Sequence, residues 1–124
     1  MNGVKVTRTA KHAKAPRRIV IVVFDGANAL DVAGPSTVFS STNQLRQGSY
    51  EVTHASVTRD EVTSGSGLRF SALMPLENIR SQLDTLLLAG GDEEAIRRLA
   101  SDPEFLAVLR RLSARARRVA SVCT

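Results

Sequence analysis

The chain has 124 residues, enough for one domain with a hydrophobic core. Its 17 Lys and Arg outnumber its 12 Asp and Glu, for a net charge of +5, and its one Cys excludes an internal disulfide. A lone cysteine favours a reducing, cytoplasmic location. No apolar run approaches the roughly 20 residues of a membrane span, so we expect no contact with a membrane.

The basic charge is concentrated at the start of the chain. Residues 1–17 contain no acidic residue and no apolar periodicity, so we expect a basic, disordered tail preceding a domain at 18–124. A second interpretation is an arm that contacts nucleic acid or an acidic partner. No aromatic residue lies in this segment to stack on bases, which argues against specific recognition of single strands.

The first predicted element is a strand at residues 18–24. Its continuous β-branched run indicates a strand buried on both faces, as in a parallel sheet covered by helices. Residues 28–45 predict a helix in two pieces, interrupted at Gly34 and Pro35 because proline cannot donate to the helical ladder. The residues expected on its apolar face are Leu30, Ala33, Val38 and Phe39.

The middle of the chain predicts shorter extended pieces. Residues 50–57 read as a strand, and residues 62–70 as two short pieces around a tight turn of alternating Ser and Gly at 64–67. One helical turn is expected after Pro75. The residues expected on one face of the strand at 50–57 are Tyr50, Val52, His54 and Ser56.

The last third predicts strand, helix, helix and strand. A buried strand at 86–89 is followed by Gly90 and Gly91, and Asp92, Glu93 and Glu94 then place negative charge on the first turn of a helix. A capping box from Ser101 to Glu104 predicts the start of the next helix. Arginines 115, 117 and 118 are expected at its end, before a final strand at 119–123.

The order of these elements predicts an α/β fold with a mainly parallel sheet and no second domain. The final strand carries Cys123 near its carboxyl end, where open α/β sheets place chemistry. A strand, turn and helix could present that thiol as a nucleophile, with helix amides lowering its pKa. The alternative is a small buried hydrophobic residue.

Two other positions could contribute to chemistry. Gly90 and Gly91 could offer backbone amides as an oxyanion hole or ligand-binding loop, or could simply form a tight turn. Asp31 lies in an apolar segment and could act as an acid or base over the sheet edge, or could cap a helix piece starting near Pro35. Asp25 reads as a turn residue, and neither His12 nor His54 has a ligand-spaced partner, so we expect no metal site and no cofactor.

Four segments in register resemble the ThiJ/PfpI family of the class I glutamine-amidotransferase-like superfamily. They are IVIVVFDG at 19–26, LDVAGP at 30–35 followed by Val38 and Phe39, DTLLLAGG at 84–91 and RVASVCT at 118–124. The resemblance runs from about Arg17 to Thr124. It is strongest to the sensor domains of AraC-type transcriptional regulators and to isonitrile hydratases.

The resemblance implies a flavodoxin-like three-layer sandwich, a small-molecule ligand and a homodimer. By position, Cys123 matches the family nucleophile, Asp31 its acidic partner, Gly90 and Gly91 the oxyanion loop, and Thr124 a hydroxyl that the hydratases use. The first function expected is a ligand-sensing, amidase-like domain of an AraC-type regulator, whose DNA contacts come from a further, C-terminal domain. The alternative is a cysteine-dependent hydratase or hydrolase.

Family domains continue beyond the Cys-Thr pair, so we expect this chain to correspond to the earlier part of such a domain. The expected consequences are negligible turnover by the 124-residue chain alone and weak stability or self-association.

Overall fold

The computed structural model describes residues 15–57 and 61–122, and its centre is a five-stranded parallel sheet. In spatial order the sheet strands are β5 (Met74–Pro75), β2 (Tyr50–Ser56), β1 (Arg17–Val22), β6 (Leu83–Leu88) and β7 (Ala116–Ser121). Each neighbouring pair is parallel. The predicted α/β class and parallel sheet are therefore confirmed.

Strand β1 is central because its β-branched side chains can be buried on both sides. Residues 19–22 are all buried, and Ile21 pairs with His54 of β2 and with Leu87 of β6. The strand starts at Arg17, whose N–H donates to the Ser49 carbonyl at 3.0 Å, so the last residue assigned to the tail belongs to the sheet. Residues 1–14, with His12, lie outside the described residues.

Helices cover both faces of the sheet and give it three layers. Helix α1 (Ala29–Leu45) packs Val32 and Phe39 on one face, and helix α3 (Pro103–Arg115) packs Phe105 and Leu112 on the other. The short helix α2 (Glu93–Ala100) lies after β6, and its Leu99 contacts both hydrophobic clusters. This is the flavodoxin-like sandwich that the resemblance implied.

The prediction of two helix pieces around Pro35 was wrong, because α1 is continuous. The side chain of Asn28 caps its start by accepting from the Leu30 N–H at 3.1 Å. Val32 and Phe39 pack on the sheet before and after Pro35. This packing keeps the helix continuous although Pro35 has no N–H to donate to the helical ladder. The predicted apolar face was correct for Phe39, which packs on the sheet, and wrong for Leu30 and Val38, which are 72% and 64% exposed.

The predicted capping box at Ser101 was wrong as well. Ser101 ends α2, where its hydroxyl donates to the Arg97 carbonyl at 2.9 Å. Asp102 caps α3 instead, accepting from the amides of Glu104 at 3.0 Å and Phe105 at 3.2 Å. Aspartate is as good an N-cap as serine, and Pro103 then occupies the first helical position, where its lack of an N–H costs nothing.

Two arginines expected at the end of α3 belong to β7. Helix α3 ends at Arg115, and Arg117 and Arg118 continue in the strand. Arg117 Nε bonds an Asp84 carboxylate oxygen at 2.7 Å, and Arg118 Nε donates to the Thr85 hydroxyl at 2.8 Å. These cross-strand contacts with β6 explain why the charges extend along the strand instead of the helix end.

A separate two-stranded hairpin and a 3-10 turn complete the described fold. Strands β3 (Glu61–Thr63) and β4 (Arg69–Ser71) pair antiparallel around the predicted Ser-Gly turn. The 3-10 turn (Leu76–Asn78) follows Pro75 as expected. Within residues 15–57 and 61–122, no helix combines the length and apolar character needed to cross a membrane.

Candidate functional site

Three chain segments meet at the carboxyl edge of the sheet. They are the β1–α1 loop, the β6–α2 loop and the turn of the β3–β4 hairpin. In parallel α/β sheets this edge is where ligands bind, because loops and helix N-termini converge there. The predicted residues Asp31, Gly90 and Gly91 all belong to this region.

Asp31 is bonded directly to the glycine loop. Its side-chain oxygen accepts from the buried backbone N–H of Gly90 at 3.1 Å, and Asp31 itself is only 7% exposed. The alternative role for Asp31, as the cap of a helix near Pro35, is contradicted because α1 starts six residues earlier and is capped by Asn28. Asp31 instead joins the first turn of α1 to the end of β6.

Further backbone bonds fix the two loops together. The Asn28 N–H donates to the Gly90 carbonyl at 2.8 Å, so both polar backbone groups of Gly90 are bonded by the start of α1. The Asp92 N–H donates to the Gly26 carbonyl at 3.2 Å, which closes an antiparallel bridge between Ala27 and Gly91. These main-chain bonds hold the edge in one geometry.

Glycine is required at two points of this contact. A Cβ on Gly91 would come within 2.7 Å of Phe24 Cε2 and 2.9 Å of the Gly26 carbonyl oxygen. Gly26 has φ +87°, and a Cβ there would lie 2.6 Å from the Ala95 Cβ. The loops can approach this closely only without side chains.

The hairpin lies against the same edge. The Gly65 N–H donates to the Ala27 carbonyl at 2.9 Å, and the Gly26 N–H donates to the Thr63 carbonyl at 2.9 Å. Asp25, expected as a turn residue, accepts from the Thr63 N–H at 2.9 Å.

Together the three segments enclose an edge cleft of about 360 Å³. The edge cleft is lined by Gly26, Asn28, Ala29, Gly65, Ser66, Gly91 and Asp92.

Strand β7 leads towards the same region. The Val122 N–H donates to the Leu88 carbonyl at 2.9 Å, which keeps the chain paired with β6 up to its last described residue. The predicted site residues Cys123 and Thr124 follow directly in sequence and lie outside the described residues.

His54 lies elsewhere, in the middle of the half-buried strand β2. Its Nε2 is 2.6 Å from the Ser36 hydroxyl of α1, and burial lowers the pKa of its imidazole. Among the described residues it is the one histidine, and it does not line the edge cleft. In the same part of the chain, no three His, Cys, Asp or Glu side chains are grouped to hold a metal ion.

Sequence reasoning missed two contributors to these sites. Asn28 holds the loop geometry through its cap and its bond to Gly90, and an Asn directly before a helix was the available signal. The contact between Ser36 and His54 had no signal, because it depends on where α1 crosses β2.

The chain is similar in sequence to known proteins. The model of the DJ-1/PfpI family matches residues 17–124. A Streptomyces lividans protein described as an uncharacterized protein in the cpoL 5′ region is 37% identical over 112 residues, covering 88% of this chain and 74% of that protein.

Solved structures share the fold. A ThiJ/PfpI family protein from Pseudomonas syringae superposes with a TM-score of 0.76 and 28% identity, covering 88% of this chain and 43% of that one. An AraC family transcriptional regulator from Pseudomonas putida gives a TM-score of 0.65 and 23% identity, covering 80% and 59%. The chain thus spans less than two thirds of either solved structure. Because the family model matches the whole sheet and the loops that contain Gly26 and Gly91, the chain belongs to the DJ-1/PfpI family.

Proposed function

We propose that this chain forms part of a ligand-sensing domain of an AraC-type transcriptional regulator, with a small molecule bound in the edge cleft. The observation that supports the proposal is the hydrogen bond that the Asp31 carboxylate accepts from the Gly90 N–H. This bond fixes the loop whose next residue, Gly91, lines the edge cleft. The Gly91 amide meets no acceptor among the described residues, and it lies at the wall of the cleft.

The groups that line the edge cleft suit the binding of a small polar ligand. Its walls offer backbone amides and the Asp92 and Asn28 side chains, both of which also cap helices. Such groups fix the orientation of a small polar ligand.

The second candidate function is a cysteine-dependent hydratase or hydrolase. It is favoured by the position of Asp31, whose buried carboxylate lies one hydrogen bond from the loop that would stabilise an oxyanion. In this function Cys123 attacks the substrate, Asp31 handles the proton and Thr124 contributes a hydroxyl.

One experiment separates the two functions. The product of the complete gene and its Cys123→Ala variant are assayed for isonitrile hydration and amide hydrolysis, because the 124-residue chain alone is expected to have negligible turnover in either case. The sensor predicts no turnover above the variant in either assay. Turnover that is lost in both Cys123→Ala and Asp31→Asn would instead establish the enzyme. The gene sequence beyond codon 124 gives an independent test, because a helix-turn-helix domain there selects the regulator.

The proposal includes a homodimer and DNA contacts made through a further domain. Leu30 and Val38 lie two helical turns apart on α1 and are both strongly exposed, so a second copy could cover them. Sedimentation of the chain and of a Leu30→Ser, Val38→Ser variant tests this. A dimer that persists unchanged in the variant would place the interface elsewhere.

A further inference from the structure

A second cleft lies on the α1 face of the sheet, away from the edge cleft. This face cleft has a volume of about 690 Å³, which is within the range of small-molecule sites. Its walls come from α1, β2 and the segment 69–74, and it shares no lining residue with the edge cleft. Its larger apolar wall residues are Val23, Val32, Val52, Phe70, Leu73 and Met74.

A polar pair lies in the wall of the face cleft. The Ser36 hydroxyl is 2.7 Å from the Val32 carbonyl and 2.6 Å from His54 Nε2. The hydroxyl has one hydrogen, so both contacts are satisfied when it donates to Val32 and accepts from a protonated Nε2. That arrangement leaves Nδ1 of a neutral His54 as an acceptor, and burial favours the neutral form by lowering the pKa.

The face cleft also holds an unbalanced positive charge. Arg69 lines it, no acidic side chain does, and among the described residues no carboxylate lies within ion-pair distance of the Arg69 guanidinium. Arg69 is exposed and is one of several described arginines without an acidic partner, whereas Arg17, Arg18, Arg97, Arg98, Arg117 and Arg118 each have one. A guanidinium presents a fork of donors that fits a carboxylate with two parallel bonds.

The backbone beside Arg69 is strained. Ala72 lines the face cleft with φ 58°, the one positive φ among described non-glycine residues. An L-residue pays a steric cost in this left-handed region, and such strain concentrates at ligand sites. The strained residue shapes the wall between Phe70 and Met74.

We propose that the face cleft binds a small organic carboxylate, with its carboxylate on Arg69 and its apolar body against Phe70 and Val52. The cleft supplies what this ligand needs: a guanidinium with no carboxylate partner among the described residues, apolar walls and a fixed polar pair. The proposed site includes neither Cys123 nor the edge cleft. A negative result for this site therefore does not contradict the sensor proposal, and a negative result for the sensor does not contradict this site.

The test is a titration of the isotope-labelled chain with benzoate and, separately, with benzamide, followed by amide NMR shifts. The two probes share a ring and differ in charge. We expect benzoate to shift resonances of α1, β2 and β4 saturably, with benzamide at least tenfold weaker. Equal affinity for the two probes, or shifts confined to other regions, would overturn the proposal.

Variants locate the binding. Arg69→Gln should weaken benzoate binding at least tenfold, whereas Arg97→Gln, the same change on exposed α2, should leave it within twofold. Ala33→Leu narrows the face cleft from α1 without removing a polar group and should weaken both probes. Unchanged benzoate binding in Arg69→Gln contradicts the proposal. The proposal is also contradicted if resonances of the face-cleft residues shift with protein concentration in the absence of a probe, because a second copy of the chain would then cover the cleft.

Discussion

The carboxylate of Asp31 accepts a hydrogen bond of 3.1 Å from the backbone N–H of Gly90, although 59 positions separate the two residues. The bond connects the first turn of α1 to the loop after β6, at the carboxyl edge of the sheet. Both residues are buried, so water cannot replace either partner without opening the loop.

Replacing Asp31 by alanine should lower the free energy of unfolding by about 1–3 kcal/mol, because the buried Gly90 N–H loses its acceptor. Asp31→Asn keeps a side-chain oxygen for that bond and should cost less. Urea unfolding of the three proteins measures the difference. Equal stability of wild type and Asp31→Ala would show that the bond contributes nothing to the fold.

The substitution Gly91→Ala should destabilise the chain by about 1–3 kcal/mol, since its Cβ would overlap Phe24 and the Gly26 carbonyl. Gly34→Ala is the matched control: nothing lies within 4 Å of its Cβ position in α1. Because Pro35 disfavours a helical residue with a Cβ before it, the gain in helix propensity at position 34 is offset, and the control should change stability by less than about 1 kcal/mol. Thermal unfolding compares the two variants, and a loss in Gly34→Ala as large as that in Gly91→Ala would refute the steric argument.

Burial lowers the pKa of His54 below its ordinary value of 6.5, so the unfolded chain binds more protons below that pH. Stability should therefore fall as the pH drops below about 6.5, with a slope of at most about 1.4 kcal/mol per pH unit from one proton. His54→Gln removes this dependence, and His12 is common to both proteins. Parallel stability curves between pH 5 and 7 would rule out the assignment.

A hydrogen bond from Arg117 lowers the pKa of Asp84 to about 2; the Thr85 hydroxyl and the charge of Arg17 act in the same direction, and burial opposes them. A depressed carboxyl pKa gives stability that is present above 3.8 and is lost as the pH falls towards about 2. Asp84→Asn should remove that acid-sensitive contribution.

The control for this prediction is Glu77→Gln, which removes an exposed carboxyl with no arginine partner among the described ion pairs. Acid titrations followed by circular dichroism compare the three proteins. If Asp84→Asn unfolds along the same acid curve as wild type, the ion pair does not govern acid stability.

Much of the fold was predictable because it follows from local patterns. The β-branched run of β1 can be buried only between two layers, and the glycines after β6 mark the end of a buried strand. The continuity of α1 through Pro35 was not predictable, since it depends on packing of Val32 and Phe39 against the sheet. Local sequence rules account for the N–H that proline lacks, but they do not predict the tertiary contacts that compensate for it.

The candidate site was predictable only in part. Resemblance grouped Asp31 with the glycine loop, but no spacing rule reveals that its carboxylate bonds Gly90. The contact between Ser36 and His54 depends equally on the crossing of α1 over β2. Contacts between distant segments become visible only when the strand order is known.

The loops of the edge cleft are held by main-chain atoms and by the carboxylates of Asp25 and Asp31, which do not line the cleft, and this separates stability from recognition. Ala29 and Ser66 line the edge cleft, yet the bonds between its loops run through backbone groups of Gly26, Ala27 and Gly65. Exchanges at Ala29 or Ser66 can therefore alter which molecule fits while the scaffold stays intact. This edge suits the retuning of ligand choice, by natural variation or by a focused library at those two positions.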